Sequence, residues 1–369
     1  MKTINKPAKW LAAVLTLYMA LCLIAMPAAA ETEGDYTYAV SDDYAIVTGY
    51  TGTDTELEIP SSLGGYPVSS IAEYTFHGCE SLVSIIIPDT ITYFDPFVFD
   101  FYVPTLYTNR NSAAALAISN ASYSFSDPAI PYLSFCISDA ETDIRTFTIT
   151  DCASDVTEIV IPDFVSIIDH YAFSECYALT NIVIPDSVTS IGWDAFWQCT
   201  SLSSLVIPDN VTYIGYEAFD DCPATLYTSF NSSAALALGN AGYSFCDPSI
   251  PSFSFHVRET ADGTPCFSVQ SKASNATEII IPDFVNGISY QAFQNHTSLA
   301  CILIPDSVYY IDELAFEGCI ALTEITIPAS VTDIAADAFY GCSDLTVIAP
   351  SGSAAQAMAE DMGFAWQAM

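Results

Sequence analysis

The sequence predicts a β-rich repeat solenoid with short helical turns, in which stacked coils form a parallel sheet along one side and hairpins and short α-helices act as caps. Three observations predict this fold class. A block of sequence returns every 23 residues, so that residues 179–199 are followed by the similar residues 202–222. An Ile-Pro step and a closing Phe recur in eight units, and a fixed period of about 20 to 29 residues is typical of solenoids. The Ile-Pro steps begin at Ile59, Ile87, Ile161, Ile184, Ile207, Ile281, Ile304 and Ile327.

Each unit is predicted to form two short strands joined by a turn. In residues 179–199, Ile182 and Ile184 occupy alternate positions, which predicts a strand with one buried face. Pro185 ends that strand because proline cannot donate to a sheet, and the Pro-Asp step suits the centre of a type I turn. Ile191 belongs to a second extended segment, and Phe196 is expected to fill the interior.

A longer period of 120 residues lies over the short one, because residues 226–255 repeat residues 106–135. This period predicts three modules, each of which begins with a hairpin and ends with a helical cap. The modules contain two, three and three repeats and span residues 31–131, 132–251 and 252–369.

Local sequence signals predict the caps of these modules. Residues 36–50 are predicted to form a hairpin, and residues 253–269 a later one that turns at Asp262 and Gly263. Serine N-caps, alanine-rich runs and glycine stops mark the helices. The predicted N-caps are Ser233 and Ser353, and the predicted stops are Gly242 and Gly363.

The first 30 residues are predicted to be a secretory signal peptide. Three lysines precede an apolar stretch over residues 10–26, and Ala28 to Ala30 form a small-residue cleavage site. An uncleaved anchor and a lipid attached at Cys22 are the alternatives. No later run reaches the roughly 20 apolar residues that a membrane span needs. We therefore expect a secreted or surface-associated protein that does not insert into the membrane after signal removal.

The charge balance argues against two classes of partner. After signal removal, four basic residues stand against 44 acidic ones, so the formal charge is 4 minus 44, or −40. Nucleic acids and anionic membranes are bound through Lys and Arg clusters that release counterions, so neither is an expected partner. A content of 51% hydrophobic and 13% aromatic residues indicates a folded chain rather than a disordered acidic one.

Residues 179–199, LTNIVIPDSVTSIGWDAFWQC, resemble the BspA-type leucine-rich repeat, and residues 36–79 resemble the N-terminal segment of that family. The resemblance implies a right-handed solenoid with a parallel sheet on one side, in a secreted or surface protein of the kind found mainly in bacteria. It also implies adhesion to host matrix proteins or to other cells. The chain departs from the pattern at Asn295 and His296, and at Tyr102, where other units have their Cys.

Eleven cysteines follow the signal peptide, and six of them share one repeat position after the Phe. This position predicts a ladder of buried thiols, and disulfides between neighbouring coils are the alternative. The sequence contains no Cys-x-x-Cys pair, which argues against zinc. The six ladder positions are Cys79, Cys176, Cys199, Cys222, Cys319 and Cys342.

A column of aspartates follows the Ile-Pro steps. Each carboxylate is expected to cap its own turn through backbone hydrogen bonds. Calcium held between stacked carboxylates is the alternative, although one file of carboxylates supplies fewer than the six to eight oxygens that Ca²⁺ prefers. The column consists of Asp89, Asp163, Asp186, Asp209, Asp283 and Asp306.

Two further columns of side chains are candidates for partner binding. Aromatic side chains follow the second Ile of several coils and can stack on sugar rings or anchor a protein. Aliphatic side chains at outward strand positions predict an exposed apolar stripe, which often marks an interaction site. Packing over neighbouring coils and sheet propensity are the alternative explanations. The candidates are His170, Trp193, Tyr216 and Tyr290 in the aromatic column, and Val183 and Val206 in the aliphatic column.

No motif in the sequence predicts catalysis. The four histidines are scattered, and the chain contains no nucleophile elbow, phosphate-binding glycine loop or His-Glu-x-x-His pair. We therefore expect neither an enzyme nor a cofactor. The sequence predicts an extracellular interaction protein that binds a protein through its solenoid surface. A carbohydrate-binding module and a structural spacer without a ligand of its own are the alternatives.

Overall fold

The computed structural model describes residues 30–100, 102–139, 145–260, 264–271 and 275–369. The predicted signal peptide, apart from its last residue, and the predicted turn at Asp262 and Gly263 lie outside the described residues. The chain separates into two compact units, divided between Arg145 and Thr146. The division into three modules stays a prediction.

The first unit is built on two sheets and one helix, α1 (Ala113–Asn120). Strands β2 and β3 form the predicted antiparallel hairpin over residues 36–50, which confirms that prediction. In chain order the strands are β1 (Glu31–Glu33), β2 (Tyr36–Ser41), β3 (Tyr44–Tyr50), β4 (Glu56–Glu58), β5 (Ser62–Leu63), β6 (Tyr66–Ile71), β7 (Ser84–Ile86), β8 (Tyr93–Phe94), β9 (Thr105–Tyr107), β10 (Phe125–Asp127) and β11 (Ile130–Asp139). One sheet has the order β1-β2-β3-β6, with β5 and β8 both on β6, and the other has the order β4-β7-β9-β10-β11.

The second unit repeats this architecture and includes two helices, α2 (Ser233–Asn240) and α3 (Ala354–Met362). Its strands are β12 (Arg145–Cys152), β13 (Glu158–Val160), β14 (Val165–Ile168), β15 (Asn181–Val183), β16 (Ser190–Ile191), β17 (Ser204–Val206), β18 (Tyr213–Ile214), β19 (Thr225–Tyr227), β20 (Phe253–Glu259), β21 (Pro265–Ser271), β22 (Glu278–Ile280), β23 (Val285–Ile288), β24 (Cys301–Leu303), β25 (Tyr310–Ile311), β26 (Glu324–Thr326), β27 (Asp333–Ile334), β28 (Thr346–Ala349) and β29 (Ala365–Ala368).

Each coil of the second unit contributes two strands, and these two strands belong to different sheets. The first strand of a coil pairs in β13-β15, β17-β19 or β22-β24-β26-β28-β29, and the second strand pairs in β12-β14-β16-β18 or β20-β21-β23-β25-β27. Coil-to-coil pairing is parallel throughout, for example in β14-β16 and β23-β25. The predicted solenoid with parallel sheets is therefore confirmed, as are the antiparallel strands of the second hairpin, β20 and β21.

A column of stacked phenylalanines fills the interior between the sheets. The ring centroids of Phe173 and Phe196 lie 5.1 Å apart and those of Phe196 and Phe219 lie 5.5 Å apart, with nearly parallel planes. Phe293, Phe316 and Phe339 form a second column with centroid separations of 5.1 and 5.0 Å. All six side chains are buried, which confirms the predicted position of Phe196.

The turn after seven of the eight Ile-Pro steps differs from the prediction. The backbone N–H of Val188 donates to the carbonyl of Pro185 over 3.1 Å, so Pro185 occupies the first position of the turn and not its centre. Proline loses its own donor but keeps a carbonyl, so it can end the strand and still accept the bond that closes the turn. The same bond runs to the proline three residues earlier from Ile91, Val165, Val211, Val285, Val308 and Val331.

The helix caps confirm one serine prediction and correct the other. Ser353 is the N-cap of α3, and Gly363 ends that helix in the left-handed conformation, as predicted. For α2 the prediction of Ser233 is wrong, because the Ser232 side chain accepts from the N–H of Ala235 over 3.0 Å. Either of the two adjacent serines could be the N-cap by residue type. An N-cap side chain accepts from the N–H three residues later, and Ser232 makes that bond. Gly242, the other predicted stop, lies one residue beyond the C-cap of α2.

This pair of serines supplies a matched test of the capping geometry. We expect Ser232→Ala to lower the free energy of unfolding by about 1 kcal/mol, because it leaves an N–H at the start of α2 without its acceptor. Ser233→Ala should change it by less than about 0.5 kcal/mol, because Ser233 is an exposed helical residue. Calorimetric unfolding of both variants is the measurement, and a larger loss for Ser233→Ala would contradict the assignment.

Candidate functional site

Three outward valines on neighbouring strands form an exposed apolar strip in the second unit. We call Val160, Val183 and Val206, at the ends of β13, β15 and β17, the valine row. Val160 and Val183 are partners in the parallel register, and their side chains are 64% and 48% exposed. Val206 is 62% exposed. The residue before each valine is a buried Ile or Leu, so the alternation of the strand places the valine outside.

A shorter strip of the same kind lies further along the second unit. Ile280 and Leu303 are paired in register on β22 and β24, and both are exposed. The next position along this sheet is Thr326, which is partly buried and pairs with Leu303. The apolar character therefore ends after two coils.

Exposed carboxylates border the valine row on one side. Asp163, Asp186 and Asp209 each follow a valine by three residues, beyond the buried Ile and the proline that end the strand. Asp209 also accepts hydrogen bonds from Thr228 and from the N–H of Ser229, both over 3.2 Å. The valine row is therefore a hydrophobic strip with a negative border.

Two of the predicted aromatic candidates, His170 and Trp193, lie together just beyond strands β14 and β16; we call them, with their contacts, the Trp193 cluster. The ring centroids of His170 and Trp193 lie 5.2 Å apart, and the backbone N–H of Trp193 donates to Nδ1 of His170 over 2.7 Å. The indole N–H of Trp193 donates to the hydroxyl of Tyr213 over 2.8 Å. Trp193 also lies against Gly215 of the next coil so closely that a Cβ there would collide with the indole.

The other aromatic candidates lie apart from this cluster. Tyr216 is 71% exposed, and its main contact with the Trp193 coil is a backbone bond from Asp194 to its carbonyl, over 3.3 Å. Tyr290 lines a groove on another sheet, beside Tyr309 and Tyr310. The aromatic column of the sequence is thus divided between two places.

The sequence did not identify Tyr213 and Gly215 as parts of the Trp193 cluster. Tyr213 stands three residues before Tyr216, at a strand position where the preceding coil carries Ser190. Gly215, which follows the buried Ile214, was the available signal for a side chain packed at this point. A residue without a Cβ allows a bulky side chain such as Trp193 to lie against the backbone.

Four of the six ladder cysteines are buried, as predicted, whereas Cys79 and Cys222 are half-buried. The thiol of Cys199 donates to the carbonyl of Phe173 over 3.1 Å, and Cys319 and Cys342 make the same bond to the Phe 26 positions earlier, over 3.2 Å each. Burial, followed by the neighbouring thiols, raises the pKa of Cys199 to about 12. The group therefore stays a neutral thiol at physiological pH.

The described part of the chain contains no group of three or more His, Cys, Asp or Glu side chains arranged to hold a metal ion. Whether calcium binds to the aspartate column therefore stays a hypothesis. No helix within the described ranges has both the length and the hydropathy to span a membrane.

Comparison with known proteins gives a family match over most of the described chain. The family described as "BspA type Leucine rich repeat region" matches in six copies, over residues 53–127, 117–225, 142–272 and 264–357. No curated protein matches the chain.

The chain is also similar to solved structures of bacterial leucine-rich repeat proteins. One is a leucine-rich cell surface protein from Faecalibacterium prausnitzii, with 25% identity, a TM-score of 0.35, and coverage of 90% of this chain and 97% of that one. Another is a leucine-rich repeat protein from Bacteroides ovatus, with 17% identity, a TM-score of 0.39, and coverage of 92% and 99%.

Proposed function

Because the chain belongs to the family of BspA-type leucine-rich repeat proteins, we propose that it is a secreted or surface protein that binds an extracellular protein partner through the valine row. The single observation that supports this most is the exposure of three aliphatic side chains, two on the paired strands β13 and β15 and the third on β17, which lies next to β15. Exposed apolar strips with a polar border are typical of interaction sites. A formal charge of −37 keeps the protein in solution, and exposed apolar side chains do not contribute to that. Solubility therefore does not explain the valine row.

The chemistry of the valine row favours a protein over a sugar. Valine side chains offer neither a hydrogen-bonding group nor a ring face, so they gain free energy mainly by removing apolar area from water. Their acidic border, with Asp163 and Asp186, favours a partner that presents an apolar segment flanked by Lys or Arg. Association should therefore slow as salt screens the attraction.

The Trp193 cluster is the weaker candidate surface. Its polar groups are occupied within the chain, since the indole N–H donates to Tyr213 and the imidazole Nδ1 accepts from the backbone of Trp193. A ligand would have to replace those bonds before gaining new ones. These bonds tie the polar atoms of His170 and Trp193 to the chain itself, while the side chains of Trp193 and Tyr216 are 52% and 71% exposed.

Binding of residues 31–369 to purified extracellular-matrix proteins tests the proposal. The double variant Val183→Thr with Val206→Thr keeps β-branched side chains, and hence strand propensity, but replaces a methyl group with a hydroxyl on each. We expect at least about tenfold weaker binding from this variant, with little change in melting temperature, because the valines are exposed. The double variant Trp193→Ala with Tyr216→Ala should bind within about threefold of the wild type.

Three outcomes would contradict the proposal. Unchanged binding by the threonine variant would separate the valine row from the interface. A loss of binding confined to the variant with Trp193→Ala and Tyr216→Ala would place the partner site on the face that carries Trp193 and Tyr216, the aromatic face. A wild-type protein that binds no matrix protein, but binds members of a glycan array or nothing at all, would favour the carbohydrate module or the spacer.

A further inference from the structure

A polar groove lies on the sheet β20-β21-β23-β25-β27, away from the strands that carry the valine row. Its volume is about 660 Å³, and its walls include His256, Arg258, Tyr290, Tyr310 and Asp333. Every one of these residues belongs to the second unit.

Arg258 gives the groove a positive charge that the rest of the protein largely lacks. It is one of four basic residues beyond the signal peptide, and it is exposed. Arg110, by contrast, donates to Asp127 over 2.8 Å in the first unit. Arg258 makes no ion pair with any carboxylate that the structure describes. Its guanidinium group carries five N–H donors, and the side chain lines the groove.

The floor of the groove is built around the ring of Tyr310. Tyr310 on β25 is the register partner of Gly287 on β23, and the ring lies where a Cβ on Gly287 would be. One coil set earlier, at an offset of 120 residues, the same two positions are Ser190 and Ile167, also register partners. In the earlier pair the larger side chain is on the first strand, whereas here it is Tyr310 on the second strand, β25. Gly287 on β23 leaves the space that the Tyr310 ring occupies.

Two more tyrosines extend this aromatic surface. Tyr309 and Tyr290 are exposed and line the same groove. The ring centroids of Tyr309 and Tyr310 lie 5.2 Å apart, and the Tyr309 hydroxyl lies 3.0 Å from Sγ of Cys266. These contacts hold the rings in place and leave ring surface exposed.

The remaining walls carry neutral donors and acceptors together with two carboxylates. Ser268 and Gln270 contribute a hydroxyl and an amide, and Asp312 and Asp333 contribute acceptors. Burial lowers the pKa of His256, so its imidazole is neutral near pH 7 and adds hydrogen bonding rather than a second cation. The groove therefore combines one cation, several aromatic faces and many hydrogen-bonding groups.

We propose that this groove binds an acidic sugar within a glycan, with the sugar carboxylate on Arg258 and a pyranose ring against Tyr290 or Tyr309. A guanidinium pairs with a carboxylate through two parallel hydrogen bonds. The C–H face of a sugar ring carries partial positive charge and suits the negative face of a tyrosine. The sugar hydroxyls donate to Asp312 and Asp333, which accept only.

The same features argue against other ligand classes. A phosphate dianion or a polyanion carries more negative charge than Arg258 alone can balance, and the carboxylates of Asp312 and Asp333 in the same groove repel the excess. An apolar peptide would bury serine, glutamine and carboxylate groups without partners, which is costly. A ligand with one carboxylate and many hydroxyls matches the groove best.

Calorimetric titration with 3′-sialyllactose and with 6′-sialyllactose, each of which carries one carboxylate, tests the proposal, with lactose as the neutral comparison. We expect at least one of the acidic sugars to bind at least about tenfold more tightly than lactose. Arg258→Ser introduces the residue of the equivalent position, Ser138, and should remove that preference. Arg258→Gln serves as the second variant, so that one unstable protein does not decide the result.

A paired variant tests the aromatic floor of the groove. Gly287→Ile combined with Tyr310→Ser restores the arrangement that Ile167 and Ser190 have in the previous coils. It should keep the fold and weaken the acidic sugar at least about fivefold. Val183→Thr should leave sugar binding unchanged, which makes this test independent of the protein partner.

The proposal fails if neither acidic sugar binds more tightly than lactose. It also fails if both Arg258 variants keep the wild-type preference, or if sulfate at an equal concentration displaces the sugar, because the groove would then be a general anion site.

Discussion

Phe196→Ala is expected to lower the free energy of unfolding of the second unit by about 3 to 5 kcal/mol, the range found for loss of a buried Phe. The Phe196 side chain is fully buried and stacked between Phe173 and Phe219, at centroid distances of 5.1 and 5.5 Å. Removing the ring leaves a cavity between two other rings that the stacked backbone holds apart. The measurement is differential scanning calorimetry of the full chain, in which the unfolding of the second unit is followed.

Two companion variants set the scale of that loss. Phe196→Leu keeps most of the apolar volume and should cost less than half as much. Trp197→Ala changes the adjacent, partly exposed aromatic residue and should cost about 1 kcal/mol or less. If Phe196→Ala cost no more than Trp197→Ala, the coils would not share the continuous aromatic interior described above.

Gly239→Ala is expected to lower the free energy of unfolding by about 1 to 3 kcal/mol, the usual cost of overpacking. Gly239 lies in α2, where alanine would ordinarily stabilise a helix by about 1 kcal/mol. A Cβ at this position would collide with the backbone carbonyl oxygen of Val257 on β20. Because a backbone atom of a paired strand cannot rotate away, the helix itself would have to shift.

Asn240→Ala provides the control in the same helix. Asn240 is the exposed last residue of α2, so alanine there should be neutral or slightly stabilising. Thermal unfolding of the two variants separates propensity from packing. A stabilising effect of Gly239→Ala would show that α2 does not rest on β20 as closely as the structure indicates.

The repeat period was sufficient to predict the coil. Because one side chain per strand recurs every 23 residues, the buried position of Phe196 and the exposed position of Val183 follow from alternation and period alone. The register of single turns did not follow. Ser232 and Ser233 are chemically identical candidates for a cap, and Pro185 is compatible with two turn positions.

The sites depend on contacts between coils, which one sequence shows only in part. That Trp193 donates to Tyr213 requires knowing which residues the parallel register brings side by side. The exchange of size between Gly287 and Tyr310 is visible in the sequence only after their pairing is known. The groove beside Arg258 was missed for this reason, since its walls come from strands β20, β21, β25 and β27 and from the residues that follow β23.

Site-specific photo-cross-linking to a bound matrix protein tests the central claim most directly. A photoreactive amino acid replaces Val183 in one protein and Tyr216 in another, so that the probe reports from the valine row or from the aromatic face. The valine row predicts a cross-linked product from position 183 and none above background from position 216. A product from position 216 alone would contradict the account.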